Sequence, residues 1–414
     1  MNRRMSSREF ALTSLKPEKE IPFSIREYES RCRAVRSEME REDIDLLFLS
    51  SPESMFYLSG YQAEWYQASC PPIWAPVSGI AIHRDRADFV LFDTEEELLM
   101  TRYTTVSKDT RIIPDEGDMI DWITRQLEAD ELLPGTVGLE MSSYRPYRTV
   151  SERFQAALER AGCRVVDGTD LVRRVRRIKS QNELGYIRRA AEIGDIGMRA
   201  AAESIKAGVS ELEVYGEIVR SMASAGGENP AITLPVISGL KSACVHALAS
   251  RKKIEKGEIV NVDICGVFNR YHSNLARTFS VGEPDPEIER IVRLSAGSFG
   301  LLRDILRPNI PVAEVNERIM QYYEDRGILD DRLWSGGYEL GIAFPPDWVG
   351  SFVYDPSIDP SGQKFAPGNV VNYESNFYLP KKAGASLLIN TLVFDRAGAE
   401  ILGKTQNEII IVGQ

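Results

Sequence analysis

The sequence predicts a mixed α/β (α+β) protein of two lobes, an N-terminal α/β lobe followed by a C-terminal lobe of long helices and strands. Three observations predict it. The chain has 414 residues, more than one ordinary domain of about 100–200 residues requires. Short apolar runs alternate with helical segments as far as Val175, the pattern of an α/β layer. From Glu183 onward, Leu184, Ile187, Ala191, Gly194, Met198, Ala201 and Ile205 recur at spacings of three and four, so a long helix opens a second lobe and Gly208 closes it.

Taken in order, residues 1–25 are polar, with Pro17 and Pro22, and read as an arm. The N-terminal domain then spans 26–175. Ser24 to Glu42 has helical spacing, and Ile44 to Ser50 is a short apolar run stopped by Pro52, as a buried strand is. Gly79 to Ile82 and Phe89 to Phe92 flank the polar turn 83–86 and read as a hairpin. A helix near Met119 to Glu128, a strand at Thr136 to Glu140 and a helix from Tyr147 to Ala161 complete this lobe. The C-terminal domain spans 176–414. Its further helices are expected at Glu211 to Ala225, Pro286 to Leu306 and Val312 to Arg326. Its strands are expected at Ile259 to Cys265, Leu275 to Val281, Val370 to Glu374, Ser386 to Phe394 and Glu408 to Val412.

Fifty Lys and Arg against 61 Asp and Glu leave a net charge of −11, which provides no general attraction to phosphate backbones or anionic lipid. Nucleic acid and membrane are therefore not expected as partners. The basic run Arg173 to Lys179 reads as a solvated linker face. No stretch approaches the roughly 20 apolar residues that span a bilayer, and the N-terminus leads into no apolar core, so a cytoplasmic location is expected. Cys32, Cys70, Cys163, Cys244 and Cys265 are scattered without a CxxC pair and read as free thiols. Only three histidines exist, His83, His246 and His272.

The informative segment runs from Gly257 to Phe279. With period two, Val260, Val262 and Ile264 face one side of a strand, and Asn261, Asp263 and Cys265 face the other. A turn centred between Phe268 and Asn269 would set Asp263 directly opposite Asn274. A carboxylate facing a carboxamide inside a sheet is costly unless each finds partners.

The run VDICGVFNRYHSNLARTF, the upstream SGLKSACVHALASRKKIEKGE and the downstream SGGYELGIAFPPDW and APGNVVNYES resemble, in order, the motifs of the pita-bread fold. That fold is shared by creatinase, prolidase and methionine aminopeptidase, and IKSQNE resembles the junction of their lobes. The resemblance implies a creatinase-like N-terminal lobe, a C-terminal lobe of helices around a curved antiparallel sheet, and a homodimer with the site near the subunit boundary. The family's metallopeptidases hold two metal ions with two Asp, one His and two Glu. Here Asp263 and Glu374 fall on two of those positions, whereas Asn274, Tyr338 and the pair Ile389-Asn390 fall on the others. Neutral amide and phenol groups are weak ligands for divalent ions. The expectation is accordingly no metal site and no cofactor.

By the same resemblance, His246 falls on a histidine used for proton transfer, and a neutral imidazole can accept and return a proton near pH 7. The expected catalytic residues are His246, Glu374, Asp263 and Tyr338. Asn274, Glu339, Trp348 and the N-terminal Tyr61, Glu64, Trp65 and Gln67 are expected to bind a small-molecule substrate. His272 and Arg277 are assigned to structure and Cys244 to packing. Ala276 replaces creatinase's second hairpin Glu, while the Gly337 to Trp348 loop is similar to that of ectoine hydrolases. The expected function is a metal-independent hydrolase of a non-peptide C–N bond in a small amidine, guanidino or cyclic amide. The alternatives are an Xaa-Pro metallopeptidase of prolidase type, a lyase acting on a small onium compound, and a catalytically inactive binding relative.

Overall fold

The computed structural model describes residues 7–63, 77–360, 362–379 and 384–413. The chain divides into two compact units, Met1–Arg176 and Arg177–Gln414. Among the described residues no helix is long and apolar enough to cross a membrane.

In the first unit, one six-stranded sheet runs in the order Asp109–Ile112, Phe89–Asp93, Gly79–His83, Leu46–Leu49, Thr136–Leu139, Arg164–Asp167. The expected hairpin is present, with Ile80 opposite Leu91. Helices Ile25–Arg41, Met119–Ala129 and Arg148–Arg160 lie where their spacing predicts. Ser24 and Asp118 cap two of them with side-chain oxygens, satisfying first-turn N–H groups that have no intrahelical acceptor. The segment expected to be an arm is more ordered than its polarity suggests: Ser7–Ser14 is helical, and the Glu20 N–H bonds the Tyr103 carbonyl at 2.9 Å. The basic run is not a linker either. Residues Thr169–Arg177 are a helix whose Arg174 bonds Glu38, and Lys179 is buried.

The second unit opens with helix α1 (Gln181–Ser204), set by a capping box in which Ser180 and Glu183 exchange side-chain to backbone bonds. Its sheet is built on strands β1 (Ile259–Phe268), β2 (Tyr271–Val281), β3 (Arg332–Tyr338), β4 (Val370–Tyr378) and β5 (Ile389–Phe394), ordered β3-β4-β5-β2-β1. All these neighbours are antiparallel, and helices pack on the sheet as the expected fold requires. The long segment expected at 386–394 is divided into Ala385–Ser386 and β5, and the last strand is confined to Ile410–Val412.

The hairpin register differs from expectation. Its turn is Asn269-Arg270, both with positive φ (49° and 63°), so Phe268 faces Tyr271 and Asp263 faces Ala276. Asn274 faces Cys265 instead. Glu228 holds the turn by accepting both backbone N–H groups, at 2.8 and 2.9 Å. The Arg270 guanidinium bonds the Asn229 and Ala343 carbonyls. A shift of two residues preserves the face, so Asp263 and Asn274 still meet, diagonally.

Candidate active site

Four strands bring one row of side chains across the sheet: Asp263 pairs with Ala276, Ala276 with Ile389, and Ile389 with Glu374. The row therefore runs acid, apolar, apolar, acid. One rung along the same face, Asn274 on β2 and Asn372 on β4 complete a hydrogen-bonded chain between the two acids. Asn274 Nδ2 donates to Asp263 Oδ1 at 2.7 Å and to the Ile264 carbonyl at 3.1 Å. Asn372 Nδ2 donates to Asn274 Oδ1 at 3.0 Å and to Glu374 Oε1 at 2.9 Å. Asn376 Nδ2 donates to Glu374 Oε2 at 2.8 Å. Tyr338, at the end of β3, directs its hydroxyl to Asn274 Oδ1 at 3.5 Å and accepts the Trp348 indole N–H at 3.1 Å.

Enclosure dominates the electrostatics. Burial pushes Glu374 up to about 8; the nearby Asp263 charge adds to this, and hydrogen bonds from Asn376, Asn372 and Tyr338 pull it back. Burial likewise pushes Asp263 up to about 7, opposed by the Asn274 bond. Desolvation disfavours each carboxylate, and each charge disfavours the other. The Tyr338 phenol is raised well above its ordinary value, first by burial and then by the two acids, so it stays protonated. Asp263 keeps partial exposure, whereas Glu374 is buried.

The expected site residues divide. Asp263, Asn274, Tyr338, Trp348 and Glu374 come together in one network. His246 is outside that network, on an exposed turn in which the Ala247 N–H bonds the Cys244 carbonyl. Its neighbours Val245 and Ala247 nevertheless pack against Ala276, Leu387 and Ile389, which puts the turn over the apolar middle of the row. Glu339 is not available to a substrate. Its Oε1 lies 2.5 Å from Lys179 Nζ, a buried ion pair, and Oε2 accepts from Ser351 at 3.0 Å. Tyr61 is fully buried and donates to Asp93 Oδ2 at 2.6 Å, a contact within the first unit. Glu64, Trp65 and Gln67 lie outside the described residues, as does Cys70.

His272 is structural in its contacts: Nε2 accepts the Ala231 N–H at 3.0 Å, Nδ1 bonds the Arg270 carbonyl at 2.9 Å, and burial pushes its pKa down to about 3. Arg277 is spent on the carbonyls of Ala276, Ile389, Thr405 and Gln406. Cys244 is exposed rather than packed. Asn372, Asn376 and the buried Cys265 were not singled out in the sequence. The signal for the first two is the alternation Asn372, Glu374, Asn376, which places all three on one face of β4.

The residues expected to replace a metal cradle can be tested for fit. Ile389 sits opposite Glu374, and Asn390 pairs with Tyr373, hence on the other face, with its Oδ1 accepting the Gly403 N–H at 2.8 Å. Among the described residues no group of three or more His, Cys, Asp or Glu side chains could hold a metal ion. Both Glu374 oxygens already receive amide N–H groups. This donor set does not fit a divalent metal pair.

Residues 185–396 match the model of metallopeptidase family M24, and residues 31–178 match that of the creatinase/prolidase N-terminal domain. An Xaa-Pro dipeptidase of Pyrococcus furiosus is 26% identical over 372 residues, covering 90% of this chain and 97% of its own. An ectoine hydrolase of Halomonas elongata is 27% identical over 352 residues, covering 79% and 84%. The crystal structure of an X-Pro aminopeptidase from Thermotoga maritima superposes with a TM-score of 0.77 at 20% identity, covering 92% of this chain and 99% of that one. These findings bear out the pita-bread fold. They overturn the expectation of a metal-independent, creatinase-like hydrolase of a non-peptide C–N bond, because the matching family is one of metallopeptidases and the relative aligned over nine-tenths of the chain is an Xaa-Pro dipeptidase.

Proposed function

The chain belongs to metallopeptidase family M24, and on that premise we propose that it is a hydrolase of dipeptide-sized substrates of the Xaa-Pro class. The observation that carries this reading is the placement of two protonatable carboxyl groups, Asp263 and Glu374, at the ends of one side-chain row in the family's own unit. Two carboxyls whose surroundings keep one ionised and the other protonated near neutral pH form an acid–base pair.

In the proposed reaction, water attacks the scissile carbonyl carbon while its proton passes to the partly exposed Asp263 carboxylate. The oxygen that gains charge takes a hydrogen bond from Tyr338. Its bond to Asn274 is at the outer limit of length, so that contact is the one the hydroxyl would exchange for the developing oxyanion. Protonated Glu374 gives its proton to the proline nitrogen as the C–N bond breaks. The products are a free carboxylic acid and a free imino acid, and the proton on Asp263 returns Glu374 to its starting state. The apolar pair Ala276 and Ile389 lies between the two acids and suits an aliphatic ring. A homodimer and a cytoplasmic location belong to the same proposal.

The test is hydrolysis of Ala-Pro and Ala-Ala dipeptides by the purified protein, with and without added divalent metal. Ala-Pro should be cleaved in preference. Glu374→Gln and Asp263→Asn should each lower kcat by about a hundredfold or more, the scale of general acid–base catalysis, with unfolding temperature maintained. Failure to cleave Ala-Pro under every condition, or near-normal turnover by Glu374→Gln, would overturn the proposal.

A further inference from the structure

Asn372 is fully buried on β4, and no part of the proposed reaction has been asked of it. It uses every polar atom it has. One Nδ2 proton points to Glu374 Oε1 at 2.9 Å and the other to Asn274 Oδ1 at 3.0 Å, while Oδ1 accepts the Tyr338 backbone N–H at 2.7 Å. Three strands thus meet at one carboxamide: β4 carries it, β2 carries Asn274, and β3 ends at Tyr338. Through Asn274 the connection continues to Asp263 Oδ1. Glu374, Asp263 and Tyr338 are the groups to which the acid, base and oxyanion roles fall, and Asn274 links Asn372 to Asp263.

We propose that Asn372 is a positioning residue that fixes Glu374, Asn274 and Tyr338 relative to one another, so that the two carboxyls and the phenol hold one reactive arrangement. The roles of these partners rest on the dipeptidase reading above; the arrangement itself does not. A planar amide is suited to the task because its donors and acceptor diverge at fixed angles. The Tyr338 backbone N–H can only donate, so the amide oxygen must face it and the amide nitrogen is the end that faces Glu374. Among the described residues, the Asn376 side chain bonds Glu374 Oε2 and the Leu388 N–H, so it clamps one acid without joining the others. A fully satisfied buried network holds its members more narrowly than single contacts do.

Two measurements test this, one of them independent of turnover. In protein labelled with 15N-asparagine, the side-chain amide pair of Asn372, assigned by its loss in Asn372→Asp, should have both protons protected from exchange. Glu374→Ala should release one of the two, and Asn274→Ala the other. If either substitution released both protons, or neither released any, the assigned geometry would be wrong.

The second measurement compares Asn372→Leu and Asn372→Asp with the parent on Ala-Pro. Both are close in size to Asn, and Asn372→Asp keeps the acceptor for the Tyr338 N–H while losing the two donors. Each should lower kcat by about tenfold to a hundredfold with KM within about twofold. A purely structural role would lower the folded fraction and leave kcat per folded molecule unchanged, which overturns the inference. The expected exchange pattern in a protein that cleaves no Xaa-Pro dipeptide would defeat the dipeptidase reading alone and leave the positioning geometry standing.

Discussion

Asp93 shows how a single buried acid sets a pH dependence in the first unit. It has no solvent exposure, and its carboxyl accepts from Tyr61 Oη at 2.6 Å, Ser78 Oγ at 3.1 Å and the Thr94 N–H at 2.9 Å. Burial outweighs those three bonds and pushes its pKa up to about 6. The folded state therefore holds this proton to higher pH than the unfolded chain does. Between about pH 4 and pH 6 the folded state binds more protons, so stability falls as pH rises through that window and is level above it. With each pH unit of difference worth about 1.4 kcal/mol, the fall is on the order of 3 kcal/mol. Asp93→Asn removes the titration. Urea unfolding at pH 4.5 and 8 should show the variant gaining stability relative to the parent at the higher pH. An equal difference at both values would mean that Asp93 is ionised throughout.

At the scale of elements, α1 packs on the hairpin through glycine. A Cβ on Gly266 would lie 1.9 Å from the Ala190 carbonyl oxygen and 2.6 Å from the Gly194 nitrogen, both backbone atoms of α1. No rotamer change relieves such a clash, so Gly266→Ala must separate helix from sheet at a cost of about 3 kcal/mol, the upper range for overpacking. Denaturant unfolding followed by far-UV circular dichroism reads that loss, and a change below about 1 kcal/mol would show that α1 is not seated there. The same helix was legible in the sequence because its apolar spacing is local. The hairpin turn was not. Its register depends on Glu228, Asn229 and Ala343 holding Asn269 and Arg270 in left-handed conformations, and an arginine carries no turn signal of its own. The acids of the site were legible by resemblance and by period two. The commitment of Glu339 to Lys179 was not, since 160 residues separate them.

At the scale of the whole molecule, each unit closes its own core. In the first, Leu46, Phe48, Phe92, Ile123, Phe154 and Leu158 pack together; in the second, Val292, Phe299, Ile319, Tyr323, Phe377 and Leu392 do so. Units of this size bury enough apolar surface to unfold as separate cooperative blocks, so calorimetry is expected to resolve two transitions. The two substitutions argued above then identify them. At pH 8, Asp93→Asn should raise one transition. Gly266→Ala should lower the other by about 6–12 °C, since about 3 kcal/mol is worth that much in a domain of roughly 150–250 residues. Each should leave its counterpart within about a degree. A single transition shifted by both would mean that the cores unfold as one block, and changes made beside Asp93 would then also alter the stability of the strands that carry Asp263 and Glu374.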